Sequence, residues 1–196
     1  MTKLSVIIPT LGRSTLGRAV RSVIQNLEPQ DELIVVADGP SNPARRTMLE
    51  NWDSRAIYAE TQPTRVWGAF QYDIGATMAR GDFLVHLPDD DYQTFGALDK
   101  IRRRVDELPP GVHVFSFLEE HTGGKIFYGR MEAGEVSGNQ IVVPRLPERA
   151  IWSEDTKDTF DHSYLHRALA LWKQDRPHYS RDIIAVADRV SRGRMV

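Results

Sequence analysis

The chain has 196 residues, 41% hydrophobic and 27% charged, with a formal net charge of −2. These are the values of one ordinary globular domain, large enough to bury a core without covalent staples. Cysteine is absent, which excludes disulfides, zinc–thiolate sites and a thiol nucleophile and fits a reducing, cytoplasmic setting. The near-neutral balance gives no global field for nucleic acid or acidic lipid. No apolar run reaches the length of a membrane span, and "LSVII" is too short and lacks the basic lead-in of a signal peptide.

In chain order, Leu4 to Ile8 is a continuous apolar, β-branched run ended by Pro9, and predicts a buried parallel strand. Leu16, Val20, Val23, Ile24 and Leu27 recur at helical spacing, with Ser14 as N-cap and Pro29 as stop. Leu33 to Ala37 is a second strand, "DGPSNP" a loop, Ala44 to Trp52 a short helix and Ala56 to Ala59 a third strand. Trp67, Phe70, Ile74 and Met78 form a helical stripe, and Phe83 to Leu87 is the fourth strand. Alternating β and α units with wholly apolar strands predict a parallel sheet covered by helices on both faces, a Rossmann-like half.

Beyond it, Leu98, Ile101, Val105 and Leu108 predict a helix stopped by "PPG". Val112 to Phe117 and Lys125 to Tyr128 flank the turn "HTGG", and Ile141 to Val143 is a further strand, so this half is mixed or antiparallel sheet. Helical patterns are expected from Phe160 to Trp172 and again from Tyr179 to Val190. The cluster Arg102, Arg103 and Arg104 reads as a solvated helix face.

The densest chemistry is "HLPDDDYQ", His86 to Gln93. Adjacent carboxylates repel when ionised, and none is expected to hide in the core. A solvated acidic loop would carry such a triplet, but these three follow a buried strand on the edge where open α/β sheets bind ligands. Hard oxygen donors there suit Mg²⁺ or Mn²⁺, completed by water and substrate phosphates. Asp38 closes the second strand on the same edge, as a turn-former in "DGP" or as an acceptor for a base imide or ribose hydroxyl. "PTLGR", Pro9 to Arg13, follows the first strand and leads into a helix N-terminus suited to phosphate or a polar base. "WSED", Trp152 to Asp155, is either a helix cap or a general base beside an aromatic wall. His162 and His166 share a helix face at i, i+4 without the glutamate of a zinc protease motif, as surface residues would.

Taken in order, "SVIIPTLGR", "ELIVVADG", "ATMARGDFLVHLPDDD" and "WSED" resemble family-2 glycosyltransferases of GT-A fold. The resemblance covers the first half and, in the second, the acidic motif. It implies one α/β domain over residues 1–196, with a nucleotide-sugar-binding half (1–92) and a smaller, mixed acceptor-side half carrying C-terminal helices (93–196). It implies that Pro9, Thr10, Gly12, Arg13 and Asp38 hold the nucleotide base. Asp89, Asp90 and Asp91 form the DXD-type motif: Asp89 and Asp90 toward the nucleotide sugar, Asp90 and Asp91 toward Mg²⁺ or Mn²⁺. Asp155 is the implied catalytic base. Two positions depart from the pattern: Ala37 stands where the base loop has its first Asp, and Pro88 where the metal motif has its first. Which two aspartates contact the ion is thereby left open. The polysaccharide-synthase motif Gln-x-x-Arg-Trp is absent.

The implied activity is transfer of one sugar from a nucleotide-diphosphate sugar, a UDP-sugar favoured, to an acceptor hydroxyl with inversion. A retaining transferase with His162 or His166 at the metal, a sugar nucleotidyltransferase, and a nucleotide-sugar-binding protein without turnover are the alternatives. The acceptor class stays open among glycan, lipid, protein, small molecule and nucleic acid, the last through "IRRRV" and "PRLPERA".

Overall fold

The computed structural model describes the chain except residues 65, 67, 146–148, 155–159 and 189–196. The elements in chain order are β1 (Leu4–Thr10), α1 (Leu16–Ile24), β2 (Glu32–Ala37), α2 (Asn42–Glu50), β3 (Ala56–Glu60), α3 (Ala69–Met78), β4 (Phe83–His86), β5 (Asp91–Gln93) and α4 (Ala97–Glu107). They continue with β6 (His113–Glu119), β7 (Lys125–Phe127), β8 (Ile141–Pro144), α5 (Phe160–Leu171) and β9 (His178–Ala187). All strands join one sheet in the order β3-β2-β1-β4-β8-β6-β9-β5, with β7 beside β6.

The first half is the parallel sheet the apolar runs predict: β1 pairs in parallel with β2 and β4, and β2 with β3. Every residue of β1 is buried because both faces are covered. Leu4, Val6 and Ile8 point to one core with Leu16, Val20, Leu98 and Ile101, while Ile7 points to the other with Tyr72, Trp152, Tyr164 and Leu165. The second half is mixed: β4 pairs antiparallel with β8, β8 with β6, while β6 and β9 run parallel. β1, β2, β3, β4, β6 and β9 therefore all point the same way. Thr10, Ala37, His86, Glu119 and Ala187 end on one edge.

Four local expectations are corrected. The segment expected as a helix from Tyr179 to Val190 is β9 over its described part: "DIIAVA" is β-branched enough to lie between β6 and β5, and tertiary pairing decides. Ser14 does not cap α1; Thr15 is the N-cap and makes no side-chain cap bond. Phe70 is not on the inner stripe of α3, being 36% exposed; Ala69, Tyr72, Gly75 and Ala76 face inward. Trp67 lies outside the described residues. The fourth is Arg102, which is buried and paired with Asp31 and Asp99, whereas Arg103 stays in water. Among the described residues no helix is long and apolar enough to cross a membrane.

Asp31 accepts from the backbone N–H groups of Leu4 and Glu28 as well as from Arg102. It thus fastens α4 to the start of β1. Arg102→Ala leaves this carboxylate buried without its cation and is expected to cost about 3–5 kcal/mol in urea unfolding. A loss below 1 kcal/mol would mark the pair as a surface-type bridge.

Candidate active site

β1 ends at Thr10 and the chain turns at Gly12, whose φ of +78° no β-branched residue tolerates. A Cβ on Gly12 would also stand 2.3 Å from Ser41 Oγ. This turn delivers three donors to Asp89: Thr10 Oγ1 (2.6 Å) and Leu11 N (3.3 Å) to Oδ2, and Arg13 Nη1 (3.3 Å) to Oδ1. Asp89 is 5% exposed, so the expectation that none of the triplet hides is corrected. Burial pushes its pKa up, and the Thr10 hydroxyl and Arg13 guanidinium oppose that rise.

Asp90 accepts from Arg13 Nη1 at 3.0 Å, and its carbonyl from Arg18 Nη2 at 3.3 Å. Asp91 is already in β5, opposite Ala187 of β9, and its Oδ2 accepts from Asn139 Nδ2 at 2.6 Å. Arg13 is a cation seated between two of the carboxylates, so positive charge is what this cluster accepts. Hard oxygens from Asp90 and Asp91 fit Mg²⁺ or Mn²⁺. Among the described residues no three His, Asp or Glu side chains are placed to hold a metal. A two-carboxylate site completed by water and phosphate has no need of three.

Asp38 lies across the edge from this cluster. Its N–H donates to Thr10 O, and its Oδ1 accepts from Thr64 N (2.6 Å), Thr64 Oγ1 (3.1 Å) and Gln71 Nε2 (3.0 Å). The carboxylate therefore ties the segment after β3 to α3 through Thr64 and Gln71. Pro9 lines the same region: a Cβ on Gly68 would stand 2.8 Å from its ring.

The "WSED" segment is a short turn over Trp152–Glu154, clamped by Asp73 of α3. The Asp73 oxygens accept from Trp152 N (2.8 Å) and Ser153 N (2.9 Å). Asp155 lies outside the described residues. Trp152 does not wall an open acceptor pocket: it is 1% exposed, stacked on Tyr164 at 3.7 Å, with Tyr72 and His86 around it. His162 and His166 bond to each other at 3.0 Å, and His162 to Met131 O. They do not converge on the aspartates among the described contacts.

Sequence reasoning missed Gln71, Thr64, Asp73, Arg18 and Asn139. Only Arg18, a basic residue on the helix following "PTLGR", had a local signal. The others meet partners far away in the chain.

The family described as glycosyl transferase family 2 matches residues 5–169, and the chain belongs to it. Over 110 residues the chain is 32% identical to GalNAc(5)-diNAcBac-PP-undecaprenol beta-1,3-glucosyltransferase of Campylobacter jejuni, covering 55% of this chain and 36% of that protein. Among solved structures it resembles S. aureus TarS 1-349 in complex with UDP-GlcNAc (TM-score 0.68, 16% identity, 94% of this chain, 58% of that one). It also resembles the mannosyltransferase PcManGT of Pyrobaculum calidifontis in complex with GDP-Man and Mn²⁺ (TM-score 0.71, 14% identity, 98% and 58%). These likenesses show a glycosyltransferase domain of GT-A fold. The chain spans about a third of the length of the curated relative it matches.

His86, behind Asp89, reports on this site's core. Trp152 Nε1–H donates to its Nε2 at 3.2 Å, so the ring proton belongs on Nδ1, which donates to Ile141 O at 3.1 Å. Burial pulls its pKa down to about 4, and that of His113 to about 3. Below about pH 6.5 the unfolded chain binds protons these imidazoles refuse, so stability falls as pH falls. The His86 share is complete near pH 4 and amounts to about 3 kcal/mol. His86→Gln should flatten unfolding free energy measured between pH 6.5 and 4; an unchanged slope would show His86 is not held neutral.

Proposed function

We propose that the protein transfers a single sugar from a nucleotide-diphosphate sugar, with uridine favoured, to an acceptor hydroxyl with inversion. The observation that carries this reading is convergence. Asp89–Asp91, the Thr10–Arg13 turn and Asp38 meet on the C-terminal edge of the parallel strands, tied by Thr10–Asp89 and Asp38–Thr10 bonds. Family membership supports it, as do a relative named a glucosyltransferase and neighbours solved with UDP, UDP-GlcNAc and GDP-Man.

In this reading Pro9, Thr10, Gly12, Arg13 and Asp38 receive the nucleotide. Asp89 keeps the turn and the motif in register, and Asp90 joins it toward the sugar diphosphate. Asp90 and Asp91 hold Mg²⁺ or Mn²⁺, which when bound supplies Lewis-acid stabilisation of the departing diphosphate. Arg13 and Arg18 add fixed positive charge beside it. Asp155 takes the proton of the acceptor hydroxyl, and the Asp73 clamp sets the backbone two residues earlier. A UDP-linked donor, a cytoplasmic setting and one domain with a donor half (1–92) and an acceptor half (93–196) belong to the same proposal.

Asp155→Asn keeps the shape and removes the proton acceptor. Single-turnover transfer with saturating donor should fall by roughly 10²–10⁴-fold with donor affinity unchanged. Glu154→Gln is the control. Transfer at the wild-type rate by Asp155→Asn would remove the base. Asp38→Ala should weaken nucleotide binding by about 1–3 kcal/mol in calorimetric titration; equal affinity would remove Asp38 from the site.

A further inference from the structure

Arg13 sits on a carboxylate that the proposed divalent cation also needs. Its Nη1 lies 3.3 Å from Asp89 Oδ1 and 3.0 Å from Asp90 Oδ2. One nitrogen is thus divided between two carboxylates, and both distances exceed the roughly 2.7–2.9 Å of a tight charge-assisted bond. The contact is within reach of solvent: the Arg13 side chain is 34% exposed and that of Asp90 15%.

The two carboxylates differ in what else holds them. Asp89 keeps Thr10 Oγ1 and Leu11 N as donors if the guanidinium leaves. Among the described residues the Asp90 side chain accepts from Arg13 alone. Arg18, the other guanidinium nearby, donates to the Asp90 carbonyl and to Asp188, so it does not replace Arg13 on the carboxylate.

A guanidinium and a divalent cation on one carboxylate repel each other. A diphosphate relieves that repulsion, because its oxygens offer the planar guanidinium another partner. We infer that Arg13 is the resident counter-ion of Asp90 and makes capture of the divalent cation depend on the donor's diphosphate. The metal displaces Arg13 from Asp90, and the guanidinium turns to the diphosphate. This rests on the donor-site reading above.

The full chain is titrated calorimetrically with Mn²⁺ alone at low ionic strength, where screening is weak, and then with UDP and GDP, each with and without Mn²⁺. Arg13→Gln should bind Mn²⁺ alone about tenfold more tightly than the wild type, since a repelling charge is gone. With Mn²⁺ present it should bind the nucleotide more weakly. Arg13→Lys keeps the charge and should bind Mn²⁺ alone as the wild type does. Loss of a merely structural contact would loosen both ligands and tighten neither.

Equal or weaker Mn²⁺ affinity in Arg13→Gln overturns the inference, as does a gain of the same size in Arg13→Lys. Should Arg13→Gln melt too low to titrate, the other two proteins decide. Mn²⁺ affinity that is the same with and without nucleotide in the wild type overturns the inference; a nucleotide-dependent gain that Arg13→Lys retains supports it. If the wild type binds neither UDP nor GDP, the donor-site reading itself fails. If it binds a nucleotide but never Mn²⁺, the assignment of Asp90 and Asp91 to the metal fails. Where both ligands bind and Arg13→Gln leaves Mn²⁺ affinity unchanged, the exchange alone fails.

Discussion

Asp89 places a carboxylate, 5% exposed, three residues beyond β4, a wholly buried strand. A buried carboxylate must either neutralise or be surrounded by donors. Its donors all come from the turn after β1, and they reach it because β1 and β4 run side by side in parallel, Ile7 opposite His86. The turn is then constrained in its own right: Gly12 N donates to the same Thr10 hydroxyl that serves Asp89. Gly12 lies against Ser41 at the start of α2, and Ser41 N donates to Glu60 at the end of β3. One buried charge thus links the ends of β1, β3 and β4 and the cap of α2. These are the elements that border Asp38.

The parallel half was legible because its inner strands β1, β2 and β4 are buried on both faces and carry that burial as apolar runs, while the edge strand β3 is half-buried. Leu4–Ile8 and Leu33–Ala37 needed no partner to be read. The candidate site was legible where acidic residues follow a strand end, as with Asp38 and Asp89–Asp91, which the fold brings to one edge. It was not legible where a residue acts through distance in the chain. Asn139 meets Asp91 across 48 residues, and Asp73 meets Trp152 across 79. β9 failed for another reason: Tyr179, Ile183, Ile184 and Val186 satisfy a helical stripe and a strand alike, and only the open edge of β6 decides between them. Trp152 misled because an aromatic beside an acidic pair suggests a sugar platform, while its ring is taken by Tyr164.

The two departures from the family pattern have structural accounts. Ala37 is fully buried in the first core, opposite Thr10 and Glu60. A carboxylate there would belong to the core that holds Leu33, Val35 and Ala44. Pro88 opens the turn whose carbonyl accepts from Asp91 N at 3.2 Å. A proline there fixes the start of the turn that carries Asp91 onto β5.

The triplet is divided by this geometry among three parts of the protein. Asp89 belongs to the β1 turn, Asp90 to Arg13 and Arg18 of the turn and α1, and Asp91 to Asn139 in the segment before β8. Arg18 extends the last connection: it also pairs with Asp188, just after β9, and covers the ring of Tyr92 at 4.5 Å. β9 carries Ala187 opposite both Asp91 and Glu119, so α1, β5, β9 and β6 close on one another beside the carboxylates. Like charges placed next to one another in sequence are thereby held by donors from three regions, with Arg13 shared between Asp89 and Asp90 and Asn139 given to Asp91. A shift of Asp89 or Asp90 is felt at Arg13, a shift of Asp91 at Asn139, so a cation engaging Asp90 and Asp91 together would draw on both halves of the fold.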